Sequence, residues 1–345
     1  MTDEDLLHSR PNPEFGSGVI GVCDICGRRQ AVIVLQKERY QLCVLDFLNK
    51  AWINVKKTPG APLPPYRSER VWFPTRATAS GSAPAIMLSP TKVVKHPVVL
   101  VTPDVYGLTT GVLDAAIRFA REGFEVLVPD LTRTPGIGPA THLSLRFGAR
   151  TRGGVPADGR RVAPLVELFR DGLKFAKTRT LADPGKSAVF GESYGGSLGA
   201  LVAAQEPSLT ALALAYPVPI RPAGTLRALG LPTLIVGGGS DPYAQTFFRE
   251  AREATQGATT PLEVIEFPGA RHHFLARDLP AYNMVQAEAA WSQVVAFLRR
   301  QLLPPPPKPP APPVARPTGP TPGATAVGAA SKLPPASVAT RATAA

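Results

Sequence analysis

Ser193 lies in Gly191-Glu192-Ser193-Tyr194-Gly195-Gly196, between a strand-length apolar run, Ser187 to Phe190, and a small-residue run of helical character, Ser197 to Ala204. Strand, tight turn, then helix is the setting in which G-x-S-x-G lifts a serine clear of a sheet as a nucleophile. Gly191 and Gly195 leave room for the backbone to double back. A serine hydroxyl holds its proton too tightly to attack at neutral pH, so a base and an orienting acid are required. In open α/β sheets such groups gather beyond the carboxyl ends of strands. Asp241 follows the apolar run Thr233–Val236 on a flexible Gly-rich turn, and His272 follows Leu262–Glu266. The chain order Ser193, Asp241, His272, each just past a strand, fits a relay for nucleophilic acyl transfer. Elimination supports the histidine: His8 lies near the amino terminus, His96 precedes a strand and His142 sits in a basic insertion. Developing negative charge on the substrate needs backbone N–H donors. The N–H of Tyr194 supplies one, and the loop Thr102 to Leu108 after the strand Val98–Val101 is placed to supply another.

A second constellation gathers all three cysteines: Cys23-x2-Cys26-x16-Cys43-x2-Asp46. Ala31–Leu35 and Arg39–Leu42 read as a hairpin between the pairs, and Asp46 to Ile53 has helical character. Two thiolates two residues apart, with a second such pair, can close a tetrahedron around Zn²⁺. The arrangement resembles the treble-clef zinc module, with Asp46 standing where that module has a cysteine. The alternative is a decayed site whose cysteines pack among apolar neighbours. A full set of four ligands leaves no open position, so a zinc ion here would be structural, with no cofactor required for catalysis.

Positioning the first constellation requires an alternating α/β body. Residues 1–18 read as disordered, 19–55 as the metal-binding module and 56–68 as a Pro-rich linker. Strands Arg70–Phe73 and Ala85–Leu88 open the body antiparallel. Continuous apolar strands then alternate with helices: Val98–Val101, a helix from Val112 to Arg121, Phe124–Val128 and a helix starting at Pro164. The elbow, Ala211–Ala215, Thr233–Val236, Leu262–Glu266 and a last helix, Met284 to Leu302, follow. That texture predicts a mostly parallel sheet covered by helices on both faces, over residues 69–303. Residues 304–345 form a Pro/Ala-rich tail that reads as disordered.

The chain has 345 residues, 44% of them hydrophobic, and a net charge of +12. The tail carries Lys308, Arg316, Lys332 and Arg341 with no acid, and Arg133, Arg146, Arg150, Arg152, Arg160 and Arg161 cluster in one insertion. No nucleic-acid motif accompanies this charge, so nucleic acid is not the expected partner. The insertion reads either as a solvated basic loop or as a rim attracting an anionic substrate, with Arg146 and Arg150 able to grip a carboxylate. The first residues show no basic and apolar leader, and no apolar run approaches the about 18 residues needed to span a bilayer. A cytoplasmic protein with no membrane partner is expected.

The region from about Arg70 to Leu303 resembles the dienelactone hydrolase family. The resemblance rests on Pro103-Asp104-Val105-Tyr106-Gly107-Leu108, Glu122-Gly123-Phe124, Val128-Pro129-Asp130, the Ser193 elbow, Gly239-x-Asp241 and Pro268-Gly269-Ala270-x-His272-x-Phe274. It implies an α/β-hydrolase fold, here preceded by a small zinc-ribbon or treble-clef-like module. It also implies that Val105 gives the second oxyanion N–H. That family typically has a cysteine nucleophile, and a glutamate in the place of Asp104. Serine and the shorter aspartate shift the expectation from strict dienelactone cleavage to carboxylesterase activity on small or anionic esters and lactones. Asp104, Tyr106, Phe147 and Tyr243 are candidate pocket groups, although aromatic residues more often simply pack. His273 reads either as an exposed neighbour of His272, the favoured reading, or as a substrate contact. Alternative functions are a peptidase or acyltransferase on the same triad, or a scaffold whose zinc module and tail recruit a protein partner.

Overall fold

A computed structural model of the chain describes residues 65–104, 107–134, 155–156, 162–221, 229–254, 256, 260–277 and 279–303, with five short strands between positions 9 and 42. Cys23, Cys26, Cys43, Asp46, Val105, Tyr106, Arg146, Phe147 and Arg150 lie outside the described residues, as do positions 304–345. Within the amino-terminal part, Ile33–Leu35 pairs antiparallel with Tyr40–Leu42, which is the expected hairpin. Ser9–Pro11, inside the stretch expected to be disordered, lies along Ile33–Leu35. Gly21–Val22 pairs with Gln30–Ala31.

Eight strands make the central sheet: β1 (Tyr66–Pro74), β2 (Ser82–Pro90), β3 (His96–Thr102), β4 (Glu125–Pro129), β5 (Ala182–Glu192), β6 (Ala211–Ala215), β7 (Thr233–Gly238) and β8 (Leu262–Phe267). Their order across the sheet is β8-β7-β6-β5-β3-β4-β2-β1. From β4 to β8 every pairing is parallel, and β2 runs against both its neighbours. The expectation of a mostly parallel sheet with an antiparallel start therefore holds. β1 starts at Tyr66, inside the stretch read as linker, because the buried Tyr66 ring joins the core and the strand pairs along its length with β2.

Among the described residues four α-helices fill the crossovers, α1 (Thr110–Arg121), α2 (Ala163–Lys177), α3 (Ser193–Gln205) and α4 (Pro242–Ala254), and α5 (Met284–Leu302) follows the last strand. Thr109 caps α1 by accepting from the Val112 N–H at 3.3 Å, and Arg118 and Arg121 sit in its last turn, where cations suit the helix dipole. Alternation along β5 sends neighbouring side chains to opposite faces. Phe190 meets Phe119 of α1 and Trp291 of α5, with ring centroids 5.0 and 5.3 Å apart. Val189, one residue earlier, abuts Gly199 of α3 on the other face. The α3 helix is buried along almost its whole length, which explains its run of glycine, serine and alanine. The helix α4 was not anticipated, yet Ala244, Phe247, Phe248 and Ala251 form its buried stripe.

Chain direction decides where a site can form. From β3 the chain moves through α1 to β4 on one side, whereas β5 lies on the other side of β3. The loops after β3 and β5 thus diverge at a topological switch point, the place where open α/β sheets leave a crevice. Those loops are Thr102–Thr109 and the Ser193 elbow.

Candidate active site

The elbow is made by close approach. Ser193 takes φ 53°, the left-handed region that non-glycine residues rarely enter. A Cβ on Gly191 would stand 2.3 Å from Thr102 Oγ1, and one on Gly195 would stand 2.3 Å from the Thr102 carbonyl oxygen. Both positions demand glycine because β3 and its loop press against the turn. Thr102 Oγ1 reinforces the contact by donating to the Gly195 carbonyl at 2.7 Å. Helix α3 begins at Ser193 itself, four residues earlier than the expected Ser197, so the serine occupies the first position of a buried helix. The Tyr194 N–H therefore belongs to the four N-terminal amides of a helix that have no intrahelical acceptor. That is the donor a developing oxyanion needs.

Ser193, Asp241 and His272 meet. Ser193 Oγ stands 2.9 Å from His272 Nε2, and His272 Nδ1 stands 2.5 Å from Asp241 Oδ2. Asp241 is fully buried, and its other oxygen accepts from the Tyr243 N–H at 3.0 Å while its carbonyl accepts from the Gln245 N–H. The residue expected on a flexible turn is in fact the fixed cap of α4. The Ser240 N–H donates to the Ala270 carbonyl at 2.9 Å, tying the aspartate turn to the histidine loop. With Nδ1–H held by Asp241, the lone pair of Nε2 faces the serine hydroxyl. This is the tautomer that accepts a proton from serine.

The surroundings sort the remaining expectations. Tyr243 stands edge-on to His272 at 5.7 Å, so it borders the site. Asp104 is buried two residues past the end of β3, with its Oδ2 3.9 Å from His273 Nδ1. His273 is half-buried and packs on the His272 ring at 4.2 Å, which corrects its reading as an exposed neighbour. Its backbone places the ring between Asp104 and His272 instead of in solvent. His96 opens β3 at the opposite end of the sheet, with its ring nitrogens 2.8 Å from the Gly123 and Lys92 carbonyls.

Two participants were missed from the sequence. Glu192, buried and next to the serine, accepts from the Tyr216 hydroxyl at 2.6 Å. Tyr216 directly follows β6, so the rule that located Asp241 and His272 would also have found it. The histidine loop is further anchored by Arg277, which donates to Glu288 of α5 at 2.8 Å and lies 3.5 Å from the buried Asp114 of α1. Arg118 binds the same two carboxylates. Burial pushes the Asp114 carboxyl up against the pull of both arginines. For Glu288, burial pushes the same way but is outweighed by Arg118 and Arg277, which hold it below the usual carboxylate range.

Residues 83–302 match the dienelactone hydrolase family over a continuous stretch that contains every described element of the site. The chain belongs to the dienelactone hydrolase family. It is accordingly a hydrolase of the kind that acts on ester or lactone bonds. A Bradyrhizobium sp. protein named as a candidate 2-oxo-3-(5-oxofuran-2-ylidene)propanoate lactonase is 23% identical over 232 residues, covering 63% of this chain and 89% of its own. A candidate carboxymethylenebutenolidase of Escherichia coli (strain K12) is 26% identical over 214 residues, covering 59% and 77%. The crystal structure of a candidate dienelactone hydrolase from Klebsiella pneumoniae superposes with a TM-score of 0.57 at 21% identity, covering 68% of this chain and 99% of that one. At that identity the superposition speaks for the fold. Among the described residues no helix is long and apolar enough to cross a membrane, and no group of three or more His, Cys, Asp or Glu side chains could hold a metal ion.

Proposed function

We propose that this chain cleaves carboxylic esters or lactones through an acyl-enzyme on Ser193, with His272 as the base and Asp241 as its orienting acid. The observation that carries this reading is the continuous relay of 2.9 and 2.5 Å from Ser193 through His272 to Asp241. His272 Nε2 takes the hydroxyl proton as Ser193 Oγ attacks the carbonyl carbon, and Asp241 stabilises the resulting imidazolium. The tetrahedral oxyanion receives the Tyr194 N–H and, by family resemblance, that of Val105. His272 then protonates the departing alcohol oxygen. A water molecule gives its proton to His272 and attacks the acyl carbon; the bond to Ser193 Oγ then breaks, His272 returns the proton to that oxygen, and the carboxylic acid departs. A serine in place of the family's usual cysteine favours ordinary esters alongside lactones. A protein kept only as a scaffold has no use for so tightly held a relay, which ranks that alternative lower. The test is hydrolysis of short-chain p-nitrophenyl esters by the wild type and by Ser193→Ala. Turnover by the wild type alone supports the reading, and equal rates or none overturn it.

For the amino-terminal segment we propose a structural Zn²⁺ held by Cys23, Cys26, Cys43 and Asp46. Ligand spacing supports it. So does the antiparallel pairing of Ile33–Leu35 with Tyr40–Leu42, the hairpin expected between the two ligand pairs. Zinc content of the purified full chain, compared with Cys23→Ser, decides it. An unchanged content removes the assignment.

A further inference from the structure

Among the described residues, three that are not glycine take positive φ: Ser193 at 53°, Tyr216 at 37° and His273 at 66°. They are far apart in the chain, yet they meet at one place. Sparsely populated backbone conformations persist only where the surrounding structure enforces them, and they gather where geometry serves function. Ser193 is explained by the elbow, whereas Tyr216 and His273 have no role in the relay itself.

Their contacts converge on His272. The Tyr216 ring meets the His272 ring edge to face at 5.2 Å, and the His273 ring meets it at 4.2 Å and 71°. Tyr216 and His273 also touch each other at 5.5 Å. Each also approaches a different loop of the site. The Tyr216 hydroxyl donates to Glu192, the residue before the nucleophile, and His273 Nδ1 lies 3.9 Å from Asp104, the residue before Val105. Tyr216 is fully buried, and its N–H is held by the Val236 carbonyl at 2.7 Å on the strand that leads to Asp241. The imidazole is thus held at its edges by Asp241 and Ser193, and its ring is packed by two side chains, one hydrogen-bonded to the elbow and the other close to Asp104.

We propose that Tyr216 and His273, in contact with each other, form a paired bracket against the His272 ring that positions it, transmitting the placement of Glu192 on the elbow and Asp104 on the loop after β3 to the base. Both are positioning residues, and neither exchanges a proton with Ser193. A small rotation of the imidazole lengthens the Ser193 contact, and displacements on the scale of an ångström cost rate steeply. The proposal rests on reading Ser193, His272 and Asp241 as one relay.

The test uses the full-length chain with two changes that keep the fold. His273→Gly relieves the positive φ, with His273→Asn, which also tolerates that region, as a second version; Tyr216→Phe keeps the ring and removes the bond to Glu192. The readouts are the rate of Ser193 labelling by a small fluorophosphonate, kcat and KM on a p-nitrophenyl ester, Tm, and the low-field resonance of the His272 Nδ1 proton. The bracket predicts that each variant labels about tenfold more slowly or worse and loses kcat with KM nearly unchanged. The His273→Gly protein keeps or gains Tm, the resonance shifts or broadens, and the double variant is hardly worse than either single one. Wild-type labelling and an unmoved resonance in both variants overturn the proposal. So does a loss in one variant only, or a rise in KM with kcat intact, which would make His273 a substrate contact. Failure of the underlying relay looks different: there the wild type itself labels no faster than Ser193→Ala.

Discussion

Asp241 divides its two carboxylate oxygens between His272 and the first turn of α4: Oδ2 lies 2.5 Å from the imidazole Nδ1, and Oδ1 accepts from the Tyr243 N–H at 3.0 Å. One residue therefore holds both the His272 ring and the helix that follows it. Asp241→Asn keeps an oxygen for the cap but offers His272 an amide, which favours the wrong tautomer. The expected result is a kcat lower by about 10³- to 10⁴-fold with Tm little changed. Asp241→Ala removes both bonds and is expected to lose a similar amount of activity and about 1 kcal/mol of stability. Ester turnover and thermal melts of the two variants separate these effects.

Gly195 tests the elbow. A methyl group there would stand 2.3 Å from the Thr102 carbonyl oxygen and 2.6 Å from that of Pro103. Both are backbone atoms at the end of a central strand and cannot swing away. Gly195→Ala is expected to cost about 1–3 kcal/mol and to spread the elbow from the β3 loop. Chemical denaturation measures the first effect. Slower Ser193 labelling at temperatures where the variant stays folded measures the second.

Much of this was legible in the sequence because the signals were local. Continuous apolar runs named the parallel strands, and the residues just past them named Ser193, Asp241 and His272. What escaped depended on contacts between distant segments. The left-handed backbone of Tyr216 and His273 goes with contacts between segments far apart in sequence, such as Tyr216 with Glu192 and His273 with Asp104. The helix α4 escaped because Arg249, Glu250, Arg252 and Glu253 dilute its apolar stripe. Asp241 looked mobile among three glycines, whereas Gly238 and Gly239 are there for close packing against Ala270 and Glu266.

Glu125 offers a pH-dependent readout away from the site. It is buried at the start of β4, where burial pushes its carboxyl up despite the Ser89 hydroxyl that donates to it at 2.8 Å. A carboxyl raised in the fold contributes stability below its unfolded value of about 4.3 and loses it as pH rises through the folded value. Gln at this position does not titrate. The difference in Tm between Glu125→Gln and the wild type is therefore expected to move in favour of the variant between about pH 4.5 and pH 8. A difference that stays constant over that range would show that the carboxyl titrates alike in both states.

Arg277 links the histidine loop to α1 and α5, and its removal should report on both stability and pH. Its side chain is only 6% exposed and shares Asp114 and Glu288 with Arg118. Arg277→Met keeps much of the bulk but withdraws one cation from two carboxylates, for an expected loss of about 2–3 kcal/mol near neutral pH. Both carboxylates set the same sign. Without Arg277, Asp114 is pushed still further up, so the variant regains stability as falling pH protonates it. Glu288 owes its lowered value partly to Arg277, and the stabilisation this gives the wild type is lost as pH falls through that value. The stability gap between wild type and variant is thus expected to be widest near pH 8 and to narrow towards pH 4. A gap that stays constant over that range would mean that Arg277 acts through its packing on Tyr282, 5.9 Å from the guanidinium, instead of through the two carboxylates.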